Sequence, residues 1–252
     1  MTTTSVTTTR ESSSGQDTGT PIPETAVQIR PSRSTLHSLD VRPVPASTVG
    51  PLMREHHYLH AMPEAAQQCF AAYLDEHLVG GAVFTAGSRS AFRFLAGADR
   101  GTVVTLARFW LSDAVVANGE SRTLSVILRW LKRHTAWKAV VSYADPAAGH
   151  RGVIYQATGW LYLGPTGAER YIQLADGRLY HPRSVFTRYG TNSPGHLART
   201  GVPAQAVRTP PKHRYLYVLD PAWRWRVRRP VLPYPKGRDP PSGADAYGGR
   251  SP

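Results

Sequence analysis

The chain has very little cysteine and no long apolar run. Cys69 is the sole cysteine among 252 residues, which excludes an internal disulfide framework and any cysteine-rich zinc site. No stretch approaches the ~20 uninterrupted apolar residues that span a bilayer, and the amino terminus lacks the charged start and apolar stretch of a signal peptide. We therefore expect no membrane segment and a location in a reducing cytoplasm.

Acidic residues are also scarce, with 17 Asp and Glu against 30 Lys and Arg and a formal net charge of +13. Clustered cations displace counterions from a phosphate backbone, so this balance indicates a polyanionic partner. Nucleic acid is the leading expectation. A protein that binds the ribosome or a membrane surface would show the same excess of basic over acidic residues.

Large apolar residues are sparse at both ends of the chain. Residues 1–38 are rich in Thr, Ser, Gly and Pro, and residues 236–252 consist mainly of Gly, Pro, Asp and Ser. Neither segment can bury enough apolar surface to offset its ordering entropy, so both are predicted to be disordered tails. Residues 39–235 are predicted to form one domain.

The pattern between the tails alternates between strand and helix signals. Strands are predicted at 39–47, 69–74, 78–85, 102–111, 138–143, 160–163 and 171–174. Helices are predicted at 48–56, 121–134 and 150–158, the last ending on Gly159. Asp75, Glu76 and His77 indicate a hairpin. The order predicts an α/β fold, an α+β mixed sheet with helices on both faces.

The helix over 121–134 has the clearest periodicity, with Leu124, Ile127, Leu128 and Leu131 on one face. From the strand before this helix to Gly159, the order is strand, loop, helix, strand, helix. This order resembles the GNAT acyltransferase fold, in which the loop-to-helix junction holds the pyrophosphate of coenzyme A.

The resemblance implies acetyl-CoA or another acyl donor as a small-molecule cofactor. The residues implied to bind it are Arg108, Asn118, Gly119, Ser121 and Arg122. Unpaired amides at the start of a helix suit such an anion. The junction lacks the family's two spaced glycines, and Glu120 adds a negative charge, so an ordinary capped helix is the alternative.

A narrower resemblance, to the Mom family of phage proteins, rests on several short elements in a fixed order. They are His57-Tyr58 with Pro63, Ala107-Arg108-Phe109, Glu120-Ser121-Arg122, Trp130 to His134, Ser142 to Pro146 with Gly149-His150, and Tyr155 to Tyr162. The resemblance covers roughly 54–163 and the basic end near Lys212. It implies conversion of adenine in double-stranded DNA to an N6-methylcarbamoyl form that protects this DNA from restriction.

Asp145 is the leading catalytic candidate because it follows a buried strand and precedes Pro146. Open α/β sheets bind ligands at the carboxyl ends of strands. Adenine N6 is a poor nucleophile, and a carboxylate there can orient the amine and accept its proton. The alternative is that Asp145 only terminates its strand.

Other catalytic candidates are His57, Tyr58 and Tyr155, while Tyr143 is a candidate for contact with the DNA base. His57 could act as a general base or a metal ligand, and the tyrosines could stack on the base. The family resemblance also raises a non-haem iron site, although the sequence has no His-x-Asp pair. For His57 and for each of these tyrosines, the alternative is a purely structural role in the core.

The carboxyl-terminal part of the chain alternates cations with aromatic residues, which suits phosphate contact and base stacking. The predicted DNA-binding residues in this part are Lys212, Arg214, Arg224, Arg226, Arg228 and Arg229. An alternative for 215–219 is a plain strand that returns to the sheet.

Together these features predict an enzyme that extrudes an adenine from DNA and attaches a small acyl-derived group at N6. Two alternatives remain open. One is an N-acetyltransferase acting on protein or small amines. The other is a non-catalytic DNA-binding protein with a vestigial acyltransferase fold.

Overall fold

The structure is a computed structural model that describes residues 38–87 and 90–237. The strands are β1 Leu39–Val44, β2 Ala66–Leu74, β3 His77–Thr85, β4 Val103–Leu111, β5 Ala139–Ala144, β6 Leu161–Pro165, β7 Glu169–Leu174, β8 Leu179–Tyr180, β9 Ala204–Thr209 and β10 His213–Val218. The α-helices are α1 Ala46–His56, α2 Gly119–His134, α3 Val153–Ala157, α4 Pro182–Tyr189 and α5 Pro194–Arg199. Apart from Ser38, Lys236 and Gly237, the predicted tails 1–38 and 236–252 lie outside the described residues.

Seven strands form the main sheet in the order β1-β2-β3-β4-β5-β10-β6. Strands β4 and β5 pair in parallel, and the other neighbours pair antiparallel. The predicted mixed sheet is therefore confirmed. Among the described residues, no helix is long and apolar enough to cross a membrane.

Helices cover both faces of this sheet, as predicted, because alternate strand residues point to opposite sides. In β2, Phe70 packs in the same cluster as Leu128 of α2. Its neighbour Ala71 packs with Val49 and Met53 of α1. The two helices therefore lie on opposite faces.

Several boundaries differ from the sequence prediction for local reasons. The hairpin is confirmed, since Asp75 and Glu76 have φ values of 47° and 64°, as its turn requires. The first strand ends at Val44 rather than at 47, because Pro45 caps α1. Helix α3 covers only 153–157, since Gly152 before it has a φ of 83°. Gly159 is left-handed, as predicted.

Two differences concern topology. The segment predicted as strand 171–174 is β7, which belongs to a second sheet, β8-β7-β9, rather than to the main sheet. This second-sheet unit, residues 169–209, also contains α4 and α5, which the sequence analysis did not predict. It has a small core of Ile172, Val185 and Leu197. The strand alternative for 215–219 is confirmed, because β10 inserts between β5 and β6.

Candidate functional site

The carboxyl ends of β4 and β5 separate after three paired positions, from Val103 with Ala139 to Thr105 with Val141. Beyond them, the Ser142 hydroxyl donates to the Leu106 carbonyl at 3.0 Å. The two strands thus leave an opening at the edge where α/β sheets bind ligands.

Tyr155 closes one side of this opening from within the core. Its hydroxyl lies 2.8 Å from the Ser142 hydroxyl, and because Ser142 donates to a carbonyl, Tyr155 is the donor in that contact. Its ring centroid is 4.9 Å from that of Trp160 and 5.1 Å from that of Tyr215. The structure therefore places Tyr155 in a buried aromatic cluster on the α2 face of the sheet.

Asp145 lies directly after β5 and is 3% exposed. Its Oδ1 accepts a hydrogen bond from the Ala147 amide at 3.0 Å, which caps the 3-10 turn Pro146–Ala148. Its Oδ2 lies 3.4 Å from Nζ of Lys212.

His57 follows the last residue of α1 and is 6% exposed. Its Nδ1 accepts a hydrogen bond from the Leu59 amide at 3.1 Å, so in the neutral ring Nε2 carries the hydrogen. Burial, and then the positive charge of Arg108 and nearby histidines, lower the pKa of His57 to about 3. The ring is therefore neutral at physiological pH and presents Nε2 as a donor.

Tyr58 connects His57 to the turn that carries Asp145. The Tyr58 ring stacks on the His57 ring at 4.5 Å between centroids, and it lies 5.5 Å from the His150 ring. The His150 amide donates to the Asp145 carbonyl at 3.0 Å. The sequence analysis did not select His150 as a site residue, although it belongs to the Gly149-His150 element of the family resemblance.

Arg108 lies in the same cluster. Its Nε donates to the Ala61 carbonyl at 2.9 Å and its Nη1 to the Ala107 carbonyl at 2.7 Å. Burial lowers the pKa of Arg108, while the neighbouring Tyr58 raises it. The electrostatic interactions of Arg108 with His57 and with Tyr58 group the three residues together.

The junction predicted to bind the donor is the start of α2. Asn118 has a φ of 71° and makes no side-chain cap hydrogen bond. A Cβ on Gly119 would lie 2.4 Å from Cγ1 of Val115, so the tight turn requires glycine. The Ser121 hydroxyl donates back to the Asn118 carbonyl at 3.1 Å instead of capping an amide. Arg122 is exposed beside this turn.

The predicted DNA-binding residues divide into a buried and an exposed group. Arg214 is 8% exposed and lies opposite Tyr143 in the β10–β5 register. In the following 3-10 turn, Arg226 lies 4.5 Å over the Trp223 ring and 4.8 Å over the Trp225 ring, and Trp225 is 76% exposed. The exposed cations of this stretch are Arg224, Arg228 and Arg229.

Iron does not fit the arrangement of side chains. Within residues 38–87 and 90–237, no three His, Cys, Asp or Glu side chains form a group that could hold a metal ion. Nδ1 of His57 is already occupied by the Leu59 amide. We therefore assign no iron ligand.

The fold and the site define a class: a mixed α/β protein with a buried carboxylate where two parallel strands diverge. The Mom protein family model matches residues 38–236, and the chain belongs to this family. The methylcarbamoylase mom of Escherichia phage Mu is 30% identical over 144 residues, which are 55% of this chain. The match spans 58% of the length of that relative.

Solved structures that resemble the chain include acetyltransferases. The ribosomal-protein-S5-alanine acetyltransferase of Vibrio fischeri is 10% identical with a TM-score of 0.44, covering 74% of this chain and 96% of that one. The GNAT family N-acetyltransferase YhbS of Escherichia coli, in complex with CoA, is 19% identical with a TM-score of 0.36. That alignment covers 49% of this chain and 68% of the YhbS chain.

Proposed function

We propose that this protein is a transferase that modifies adenine at N6 in DNA with a small, methylcarbamoyl-type group. The observation that carries the proposal is the buried Asp145 carboxylate at the diverging ends of β4 and β5, ion-paired with Lys212. Membership of the Mom family supports it, since the phage Mu relative is named a methylcarbamoylase.

Asp145 has the chemistry that attack by adenine N6 needs. The exocyclic amine donates a hydrogen bond to the carboxylate, which orients it toward the donor carbon. As the bond from N6 to that carbon forms, the N6 proton moves to Asp145, and the leaving group of the donor departs with its bonding electrons. Before the substrate binds, the positive charge of Lys212 compensates the negative charge of the Asp145 carboxylate.

The neighbouring cluster would bind the base and the reacting group. Tyr58 stacks on His57 and lies beside the tilted ring of His150, and in this proposal an extruded adenine would pack against this group of three rings. His57, neutral and already accepting at Nδ1, would act in this proposal as a donor through Nε2 rather than as a general base. Arg108 positions Tyr58.

The described surface supports duplex DNA as the substrate. In the second-sheet unit, the only acidic residues are Glu169 and Asp176. Six exposed arginines outnumber them: Arg170, Arg178, Arg183, Arg188, Arg199 and Arg208. Among the described ion pairs within 4.0 Å, none involves these arginines. Six guanidinium groups outside these ion pairs favour binding to the phosphate backbone of DNA.

The start of α2 is the proposed site for the donor phosphates. Amides of the first helical turn and Arg122 would hold the phosphates of an acyl donor there. Acetyl-CoA itself would give N6-acetyladenine, so a methylcarbamoyl-type product requires an acyl donor whose transferred group also carries the nitrogen. The protein would act in the cytoplasm of a bacterial host, where the modification protects DNA from restriction.

Mass spectrometry of nucleosides tests the function. DNA from cells that express the protein is compared with DNA from vector-only cells, and we expect a deoxyadenosine of increased mass only with the protein. Acetylated proteins or amines with unchanged deoxyadenosine would instead favour the N-acetyltransferase alternative. DNA binding without any new product would favour the non-catalytic alternative.

A further inference from the structure

Arg214 has buried polar atoms that lack a partner. Within the described residues, its Nε and Nη1 are out of contact with solvent and donate to no hydrogen-bond acceptor, and the residue is 8% exposed. A guanidinium buried with unpaired N–H groups is costly, because it has lost its hydrating water without replacement. An unsatisfied group of this kind points to a bound partner.

The surroundings of Arg214 are cationic. Its guanidinium lies 5.3 Å over the Phe94 ring, and the guanidinium of Arg229 lies 5.8 Å over the same ring. Burial, and then the charge of Arg229, lower the pKa of Arg214. In the described part of the chain, no ion pair within 4.0 Å involves either arginine. Burial raises the pKa of the neighbouring Tyr143 hydroxyl, while the charge of Arg214 and a hydrogen bond with it act in the opposite direction.

We propose that Arg214 and Arg229, with the hydroxyl of Tyr143, form a binding site for a phosphate group. One phosphate between the two guanidiniums accepts hydrogen bonds from the unpaired N–H groups and removes the repulsion between two like charges. Guanidinium groups match phosphate oxygens in geometry and charge. Arg229 is exposed, so rotation of its side chain, which needs no change of the backbone, gives the phosphate access.

This phosphate site adjoins the candidate catalytic carboxylate. Arg214 lies opposite Tyr143. Lys212, two residues before Arg214, and Asp145, two residues after Tyr143, form an ion pair just beyond the ends of these two strands. Residues two apart share a face and are separated by about 7 Å. The source of the phosphate rests on the proposed function: it belongs either to the DNA strand that carries the adenine or to the acyl donor.

Thermal unfolding of the full chain with inorganic phosphate, at constant ionic strength, tests the site. We expect a saturable rise in Tm for the parent and a dissociation constant at least about tenfold higher in Arg214→Gln and in Arg229→Gln. Arg229 is exposed, so its variant tests the site even if Arg214→Gln fails to fold. Arg133→Gln, exposed on α2 on the other face of the sheet, is the charge-matched control and should respond like the parent.

Affinities for a duplex oligonucleotide and for coenzyme A then identify the source of the phosphate. The Arg214→Gln and Arg229→Gln variants should lose at least about tenfold affinity for one of the two. A parent without a saturable phosphate response overturns the proposal. The proposal is also overturned if the phosphate response depends on both arginines but the variants bind the duplex and coenzyme A as tightly as the parent does. That result indicates an adventitious ion only. Nucleoside analysis of the parent tests the proposed function separately, because phosphate binding needs no turnover.

Discussion

The ammonium nitrogen of Lys212 lies 3.4 Å from Oδ2 of Asp145, and their side chains are 23% and 4% exposed. Lys212 directly precedes β10, and Asp145 directly follows β5. Their contact exists because these strands pair antiparallel. At this depth, removal of one partner leaves the other charge buried without its ion-pair partner.

Replacement of Lys212 by Met should therefore destabilise the protein by about 1–3 kcal/mol. The double variant Lys212→Met with Asp145→Asn should recover much of this loss, because neither charge then remains unpaired. Urea unfolding of the parent, both single variants and the double variant gives the coupling energy. Strictly additive losses would show that the two side chains do not stabilise one another.

His57 should make stability depend on pH. Its pKa is about 3 in the folded protein against a model value of 6.5, so the unfolded chain takes up the proton first as the pH falls. The stabilising contribution is complete above pH 6.5 and is lost between 6.5 and about 3, at about 1.4 kcal/mol per pH unit.

Urea unfolding at pH 7.5 and pH 4.5 checks this expectation. Between these values the parent should lose about 2–3 kcal/mol more than His57→Gln does. His77→Gln, at an exposed position, is the control and should follow the parent. Equal losses in the parent and in His57→Gln would contradict the buried neutral state of the ring.

The position of Asp145 was predictable from local pattern alone, because a short apolar run ending at Asp-Pro indicates a buried strand and its end. Its partner Lys212 was not predictable in the same way. The two residues are 67 positions apart in sequence, and they meet only because β10 inserts between β5 and β6. No local periodicity encodes that strand order.

The roles of Tyr155 and β7 also depend on contacts between distant parts of the chain, which the local sequence does not encode. A tyrosine on a predicted helix is compatible with a substrate pocket or with a core, and its hydrogen bond to Ser142 depends on the divergence of β4 and β5. The pattern of 171–174 correctly indicated a strand, but its membership of a second sheet depends on pairing with β9, 30 residues later along the chain.

The exposed arginines after β10 should contribute to DNA affinity through phosphate contacts. Replacement of Arg224 and Arg228 by Ala should weaken binding to all duplex sequences and reduce the slope of log affinity against log salt by about two units. Binding isotherms at several salt concentrations measure the slope. The control variant, with Arg129 and Arg133 of α2 replaced, should keep the slope of the parent, and equal slopes in all three proteins would place the DNA surface elsewhere.

Arg122 should decide whether α2 binds a donor phosphate. Free amides and Arg122 favour an anion, while Glu120 opposes it by about 1 kcal/mol when partly screened. We expect weak acetyl-CoA binding by the parent and none by Arg122→Glu, in which two carboxylates face the phosphates. Calorimetric titration measures both. A parent that does not respond to millimolar acetyl-CoA would require a different donor.

The yield of modified deoxyadenosine in the Asp145→Asn variant tests the central claim most directly. Asparagine is nearly isosteric and can still accept from the Ala147 amide, but it cannot take the N6 proton, so the yield measured by mass spectrometry should fall at least about 100-fold. Asp113→Asn, at an exposed position, is the matched control and should modify DNA like the parent. A folded Asp145→Asn protein that modifies adenine at the parental level would contradict the assignment of Asp145 as the proton acceptor.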